Sequence, residues 1–321
     1  MDPETRIKLY MGKSYYHSTA VRLDMVPVDQ RPLVFCYADQ YQKDFDTEKT
    51  TYFHDMTRYI YRIPSLYDTR FLFYPRDRVE PFHVPTLVKS RQIDNPGESI
   101  IMNMNFARHF GNIFNVDEND IPYSEKTEVL VWRGVDTGYG FGNNIPYRDT
   151  SRETMLTKFY QHDNLMIDIG LSKIEREDKK AKYGHFIKNT MDLWQLLKYK
   201  FLLSVEGNDV ATNLKWILYS NSVPFCTPFT IQSWILEDQL VPYIHFIPIR
   251  SDFEDLEEKI EWAIKNPRQC EDIAHEGRKY ISQFLDMKKE RNIIETLLFR
   301  YSQRVHVGKD QQHSQGQEEK K

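Results

Sequence analysis

Two glycine-bearing stretches hold the residues best suited to chemistry on an anionic ligand. In LLSVEGNDVATNLKW (202–216) an apolar run ends at Gly207, and Asn208, Asp209 and Thr212 follow before an amphipathic segment. Glycine there permits a turn that a Cβ forbids, and the polar side chains supply turns and caps. Val210, Ala211 and Asn213 complete the connection, and Lys215 falls in the first turns of the helix expected from NLKWILYSN. Ligands of an open parallel sheet bind at the carboxyl ends of its strands, and N–H groups at a helix start favour a phosphate. Lys215 would add an ammonium beside a diphosphate, while Trp216 is expected in the core. The bland alternative is an ordinary strand-to-helix connection.

The second stretch, VLVWRGVDTGYGFGNNIPYRD (129–149), again follows an apolar strand. Its glycines at 134, 138, 140 and 142 let the backbone approach a ligand closely, and Arg133 and Arg148 bracket it with fork-shaped donors. Gly134, Thr137 and Gly138 therefore join the candidate contacts, and Tyr139 and Phe141 could stack on a ring of the ligand. A flexible surface hairpin would carry the same glycines.

The elements that must position these residues are short apolar runs: PLVFCYA (32–38), RFLFYP (70–75), VLVWRG (129–134), YKFLLSVEG (199–207), SVPFC (222–226) and IHFIPI (244–249). Helical patterns lie between the later ones, which predicts an α/β chain with a mainly parallel sheet covered on both faces. SDFEDLEEKIEWAIKN predicts a helix capped by Ser251 or Asp252, Pro267 opens another, and MKKERNIIETLLFRY supplies a last amphipathic one. The polar stretch 115–128 is the best boundary between domains, KIEREDKKAKYGH (173–185) reads as a solvated loop or helix face, and the tail 304–321 as disordered.

A chain of 321 residues, 40% of them hydrophobic, can bury a sizeable core in about two domains of roughly 150 residues. Its net charge of -4 argues against a broad nucleic-acid surface. Cys36, Cys226 and Cys270 are odd in number and far apart, which fits a reducing compartment, and no CxxC pair suggests zinc. No signal-peptide pattern and no run of roughly 18 apolar residues appears, so a soluble, cytoplasmic protein without a membrane span is expected.

YKFLLSVEGNDVATNLKW, SNSVPF, SWILEDQLVPYIHFIPIRSDFEDLEEKIEWAIKN and IAHEGRKYISQFL, in that order, resemble glycosyltransferase family 90. This is the lipopolysaccharide-modifying and capsule-associated group that includes protein O-glucosyltransferases. The WRG strand and its loop resemble the family's earlier block, so the resemblance covers about 128 to 301. Before residue 128 it is limited to RFLFYPRD and VPTLVKSR.

The resemblance implies a GT-B architecture of two Rossmann-like domains facing across a cleft. Residues 1–127 would form the acceptor side, 128–287 the nucleotide-sugar side, and 288–303 a helix crossing back. It implies an inverting transfer of glucose or xylose from a UDP-sugar to a hydroxyl of a glycan or glycoprotein, without metal or other cofactor. Such a reaction needs a base for the acceptor hydroxyl and positive charge or N–H donors for the leaving diphosphate.

Carried over by position, Asp77 is the base, with Asp68 as second candidate; otherwise Asp77 pairs with Arg76 or Arg78 in a surface loop. Arg133 and Arg148 resemble the family's first arginine block, and the turn from Gly207 to Lys215 its second. Asn213 departs from the pattern, standing where many members have an arginine. Gln232 sits where relatives often place Glu or Tyr, while Trp234 and Glu237 fit, with Glu237 near the ribose or the domain interface or in a purely structural role. The implied member is of bacterial type or virus-encoded, acting in the cytoplasm, or the host's if viral. The second reading is a non-catalytic nucleotide- or glycan-binding module of the same fold, motivated by Asn213.

DFD at Asp44–Asp46 matches a DxD metal motif but lies in a polar stretch past its strand, and His54, His83, His109 and His245 show no ligand spacing. His245 is expected to be a buried, hydrogen-bonded strand residue.

Overall fold

The computed structural model describes residues 1–27, 30–38, 50–75, 77, 80–141, 150–161 and 163–308. In chain order the strands are β1 (Thr19–Val21), β2 (Leu33–Phe35), β3 (Phe71–Phe73), β4 (Phe82–Val88), β5 (Ser90–Gln92), β6 (Gly97–Ile101), β7 (Thr127–Val135), β8 (Ile167–Lys173), β9 (Tyr199–Ser204), β10 (Val223–Cys226), β11 (Ile231–Ser233), β12 (Ile247–Pro248) and β13 (Val305–Val307). The chain is mixed α/β with parallel sheets. Among the described residues no helix is long and apolar enough to cross a membrane.

A five-stranded sheet runs β12-β10-β9-β7-β8 with every neighbouring pair parallel. Its central strands are apolar on both faces, as burial under helices on each side requires. Side-chain alternation sorts them: Leu130, Phe201 and Leu203 pack with Ile169, Ile247 and Ile260 on one face, and Val131 and Leu202 with Leu214, Leu218 and Leu297 on the other. The first helix expected there begins at Leu256, several residues beyond a cap at Ser251 or Asp252. Phe253 takes a left-handed φ of 62° to bury its ring, and Asp255 stands at the N-cap, its Oδ1 accepting from the Arg250 N–H at 2.9 Å. Pro267–Ser282 and Met287–Arg304 form the two helices beyond it.

The N-terminal residues build a four-stranded sheet, β2-β3-β4-β6, parallel except for β2. Sequence reading missed β4 because Pro85 interrupts it; the register shifts between Phe82 and Thr86, where the ladder tolerates a residue without an N–H. The Pro85 carbonyl accepts from the Tyr301 hydroxyl at 3.0 Å, and that hydroxyl accepts from the Leu72 N–H at 3.0 Å. Helix Met287–Arg304 therefore returns to the N-terminal sheet. Arg6 and Glu290 fix it in a buried ion pair of 2.5 Å, and Val305–Val307 continues as β13 beside β1. Residues 305–307 are thus a strand, not part of a disordered tail, and 309–321 lie outside the described residues.

The chain passes between the sheets through 102–126, which winds into short helical turns at Val116–Asn119 and Tyr123–Glu125. There buried Lys126 donates to the Leu197 carbonyl and pairs with Asp120. A second link is the antiparallel pair β5–β11, Ser90 opposite Ser233. Both sheets thus belong to one packed body, and the carboxyl ends of β3, β4, β7 and β9 meet at a common cleft.

Candidate active site

Because β7 and β9 are parallel neighbours, the turns that follow them leave the same edge of the sheet. They touch. The Gly138 N–H donates to Asn208 Oδ1 at 2.9 Å, and a Cβ at Gly138 would stand 2.9 Å from the Gly207 carbonyl. Gly138 also has φ +98°, a backbone that side chains rarely adopt. At Gly134 a Cβ would enter the Trp132 ring at 2.3 Å. Glycine is therefore needed because backbone meets backbone, or an indole folds over it.

The two turns wall a cleft of about 300 Å³. Of the residues singled out from sequence, Arg133, Gly134, Thr137, Gly207, Asn208, Asp209, Val210, Thr212 and Asn213 line it, and Asp77 lines it from the other side. Gly138 and Ala211 shape the turns from behind. Asp68 is exposed before the amino end of β3, the end remote from the cleft, so it is not placed to act there; Asp77 follows the carboxyl end of that strand.

Sequence reasoning missed three lining cations, Lys89, Arg108 and Arg152. Arg152 opens the helix Arg152–Phe159 behind its N-cap Ser151. Its guanidinium donates to the Val135 carbonyl at 3.2 Å, to Thr137 Oγ1 at 3.1 Å and to the Val205 carbonyl at 2.8 Å, so one fork fastens both turns. The available signal was a Ser cap with Arg at the first helical position directly after a glycine loop. Lys89 lies in VPTLVKSR, one of the two N-terminal segments that carried the resemblance, but nothing local singles it out at the end of that apolar strand.

Lys89 Nζ lies 2.5 Å from Asp77 Oδ1 and 2.7 Å from Asp209 Oδ2. Burial works against the ammonium, but Asp209 and Asp77 together push its pKa above the ordinary value. Burial would likewise lift the Asp209 carboxyl; the Lys89 charge outweighs it and holds that carboxyl down at about 2. The Asp77 side chain remains 28% exposed, open to the cleft.

The family model for glycosyl transferase family 90 matches residues 104–319. The chain belongs to glycosyl transferase family 90. It is 32% identical over 202 residues to an O-glucosyltransferase LpsA of Dichelobacter nodosus, covering 63% of this chain and 57% of that protein. It is 31% identical over 136 residues to Protein O-glucosyltransferase 2 of Danio rerio, covering 41% and 27%. Against the uncharacterized protein 179R of Invertebrate iridescent virus 6 the identity is 23% over 210 residues, covering 58% and 18%. The chain thus spans at most about three-fifths of the length of these relatives, 57% of the first.

Several residues that the family 90 pattern assigned to the donor are turned elsewhere in this member. Lys215 lies on the inward face of a helix of only six residues, Leu214–Tyr219, wholly buried. Its ammonium is 3.4 Å from Glu237 Oε1 and 5.7 Å from the Trp234 ring centre, so it does not line the cleft beside a diphosphate. Glu237, also buried, accepts from the Ser233 N–H at 2.5 Å and hydroxyl at 2.7 Å, a structural position away from the cleft. The Arg133 backbone borders the cleft, but its guanidinium is held by Asp168 Oδ2 at 2.7 Å and the Asn189 carbonyl at 3.0 Å. Asn213 folds back: its amide donates to the Leu203 carbonyl at 3.0 Å and accepts from the Ser204 hydroxyl at 3.0 Å.

Phe141 is buried against Tyr183, ring centres 4.9 Å apart, and so is no stacking platform; Tyr139 does not line the cleft. Trp216 is in the core as expected. His245 precedes β12 and sits at the surface side of its turn, its Nδ1 accepting from the Val241 N–H at 2.9 Å. Arg148, Gly142, Arg76, Arg78 and the DFD motif lie outside the described residues. Among the described residues no three His, Cys, Asp or Glu side chains are grouped to hold a metal ion.

Proposed function

We propose that this chain is a UDP-sugar-dependent glycosyltransferase of GT-B architecture. It transfers glucose, or xylose, with inversion and without a metal to a hydroxyl of a glycan or protein. The observation that carries this reading is the opposition of Asp77, on the N-terminal half, to two touching glycine turns fastened by Arg152 across one cleft. Family membership and relatives named O-glucosyltransferases support the reaction class and favour glucose.

In this reading the diphosphate lies along the turns, where backbone approach is closest and Arg152 and Arg108 offer positive charge to the departing oxygen. Asp77 takes the proton of the acceptor hydroxyl. The acceptor oxygen bonds to the anomeric carbon as the bond to the diphosphate breaks, and attack from the opposite face inverts the centre. The two sheets with the cleft between them are in keeping with GT-B, and cysteines not joined in disulfides with a reducing compartment such as the cytoplasm.

Asn213 favours one other reading, a nucleotide- or glycan-binding module without turnover, because its amide is committed to β9. A thermal-shift screen of UDP, GDP and CDP followed by UDP release from UDP-glucose and UDP-xylose separates them. Stabilisation by UDP with release that persists in EDTA is expected. Stabilisation with no release from any donor leaves the binding module, and release abolished by EDTA and restored by a divalent cation contradicts metal independence.

A further inference from the structure

Lys89 joins the two halves of the molecule at a single atom. It leaves the carboxyl end of β4 with its side chain 4% exposed, and its ammonium bridges Asp77, which follows β3, and Asp209, in the turn after β9. Other groups face this cluster from each packed element: Tyr52 from helix Thr50–Ile60, His109 and Arg108 from helix Phe106–Phe110, and Lys215 from helix Leu214–Tyr219. Burial raises the Tyr52 pKa and lowers that of His109, so both stay neutral near neutral pH, and Lys215 has Glu237 as its partner. The bridge itself therefore holds one positive charge between two carboxylates, with Arg108 at its edge.

We propose that Lys89 is a positioning residue. It fixes Oδ1 of Asp77 and divides its charge between Asp77 and Asp209, so that the state of the donor-side turn decides how much of that charge the acceptor-side carboxylate receives. The proposal rests on Asp77 being the base of the reaction above. A carboxylate tied through one oxygen presents the other in a defined direction. Anything that draws Asp209 away returns the ammonium to Asp77, coupling donor-side occupancy to the readiness of the base.

The test is a pH titration of the whole chain carrying carboxyl-¹³C aspartate, with the Asp77 resonance assigned by its loss in Asp77→Asn. Lys89→Met and Asp209→Asn should move the Asp77 midpoint in opposite directions relative to the wild-type chain, the first upward and the second downward, as expected for losing or gaining the share of a close opposite charge. Lys89→Arg should restore a midpoint near the wild-type value. The acid limb of kcat should move in the same directions, with KM for the donor changing less than kcat in Lys89→Met. Midpoints that stay put, or move the same way in both variants, overturn the proposal. Asp209→Asn preserves the buried volume, so the sign of its shift decides alone should Lys89→Met fail to fold. Opposed shifts in a wild-type chain that turns over no donor would contradict the transferase reading and leave the charge division standing.

Discussion

The two walls of the cleft are built differently. The wall made by 132–138 and 207–213 is backbone brought close by glycine, with Gly138 against Gly207 and one arginine fastening both turns. The opposite wall is charge brought together by packing: Asp77 and Lys89 follow different strands and meet an aspartate from the other sheet. A backbone site is written in residues that have few other reasons to be there, whereas a charge site is assembled from residues common on any surface. On this account the first wall binds and the second does the chemistry.

The strongest way to break that division is Asp77→Asn. It should lower kcat by about 10²- to 10⁴-fold, the usual worth of a general base, while calorimetry shows that UDP binding is retained. Surviving transfer would move the base elsewhere, and loss of UDP binding would make the second wall part of the first.

Arg152→Ala should do the reverse, weakening UDP by on the order of 10- to 100-fold, as loss of a charge-assisted contact does. Arg133→Ala, whose guanidinium is already held by Asp168, should weaken it less. Equal effects would mean that the Arg133 side chain turns into the cleft when nucleotide arrives.

A smaller effect concerns His109, which packs between the walls. Burial, with Lys215 and Lys89 nearby, holds its pKa well below the ordinary 6.5, so the folded chain keeps it neutral where the unfolded chain takes up a proton. Its contribution to stability is full above that value and declines as pH falls toward the folded pKa, by at most about 1.4 kcal/mol per pH unit. Urea unfolding at several pH values should show His109→Phe with a shallower acid decline, and an unaltered slope would mean that His109 is protonated in the folded state.

The same contrast governs what the sequence made legible. The apolar runs around 33, 71, 130, 201, 224 and 247 all became strands, because uninterrupted apolar residues have few alternatives to burial in a sheet. Hidden in the two larger sheets were β4, masked by Pro85, β6, which opens on Gly97, and β8, whose IDIGLSK alternates only loosely. Both glycine turns border the cleft, but the direction taken by the Lys215 side chain was not legible. Lys215 and Trp216 are adjacent on a six-residue helix, and both were taken by the core, a choice made by the apolar face packed against them. Arg152 and Lys89 were missed for the converse reason. Their partners, the Val205 carbonyl and Asp209, are distant in sequence, and no local spacing encodes such contacts.

Soaking UDP into crystals of the chain tests the central claim most directly. The account predicts a diphosphate within hydrogen-bond distance of the backbone N–H groups of residues 207–213 and of Arg152, with Asp77 facing it across the cleft. UDP bound away from these turns, or a cleft left empty at saturating nucleotide, would contradict it.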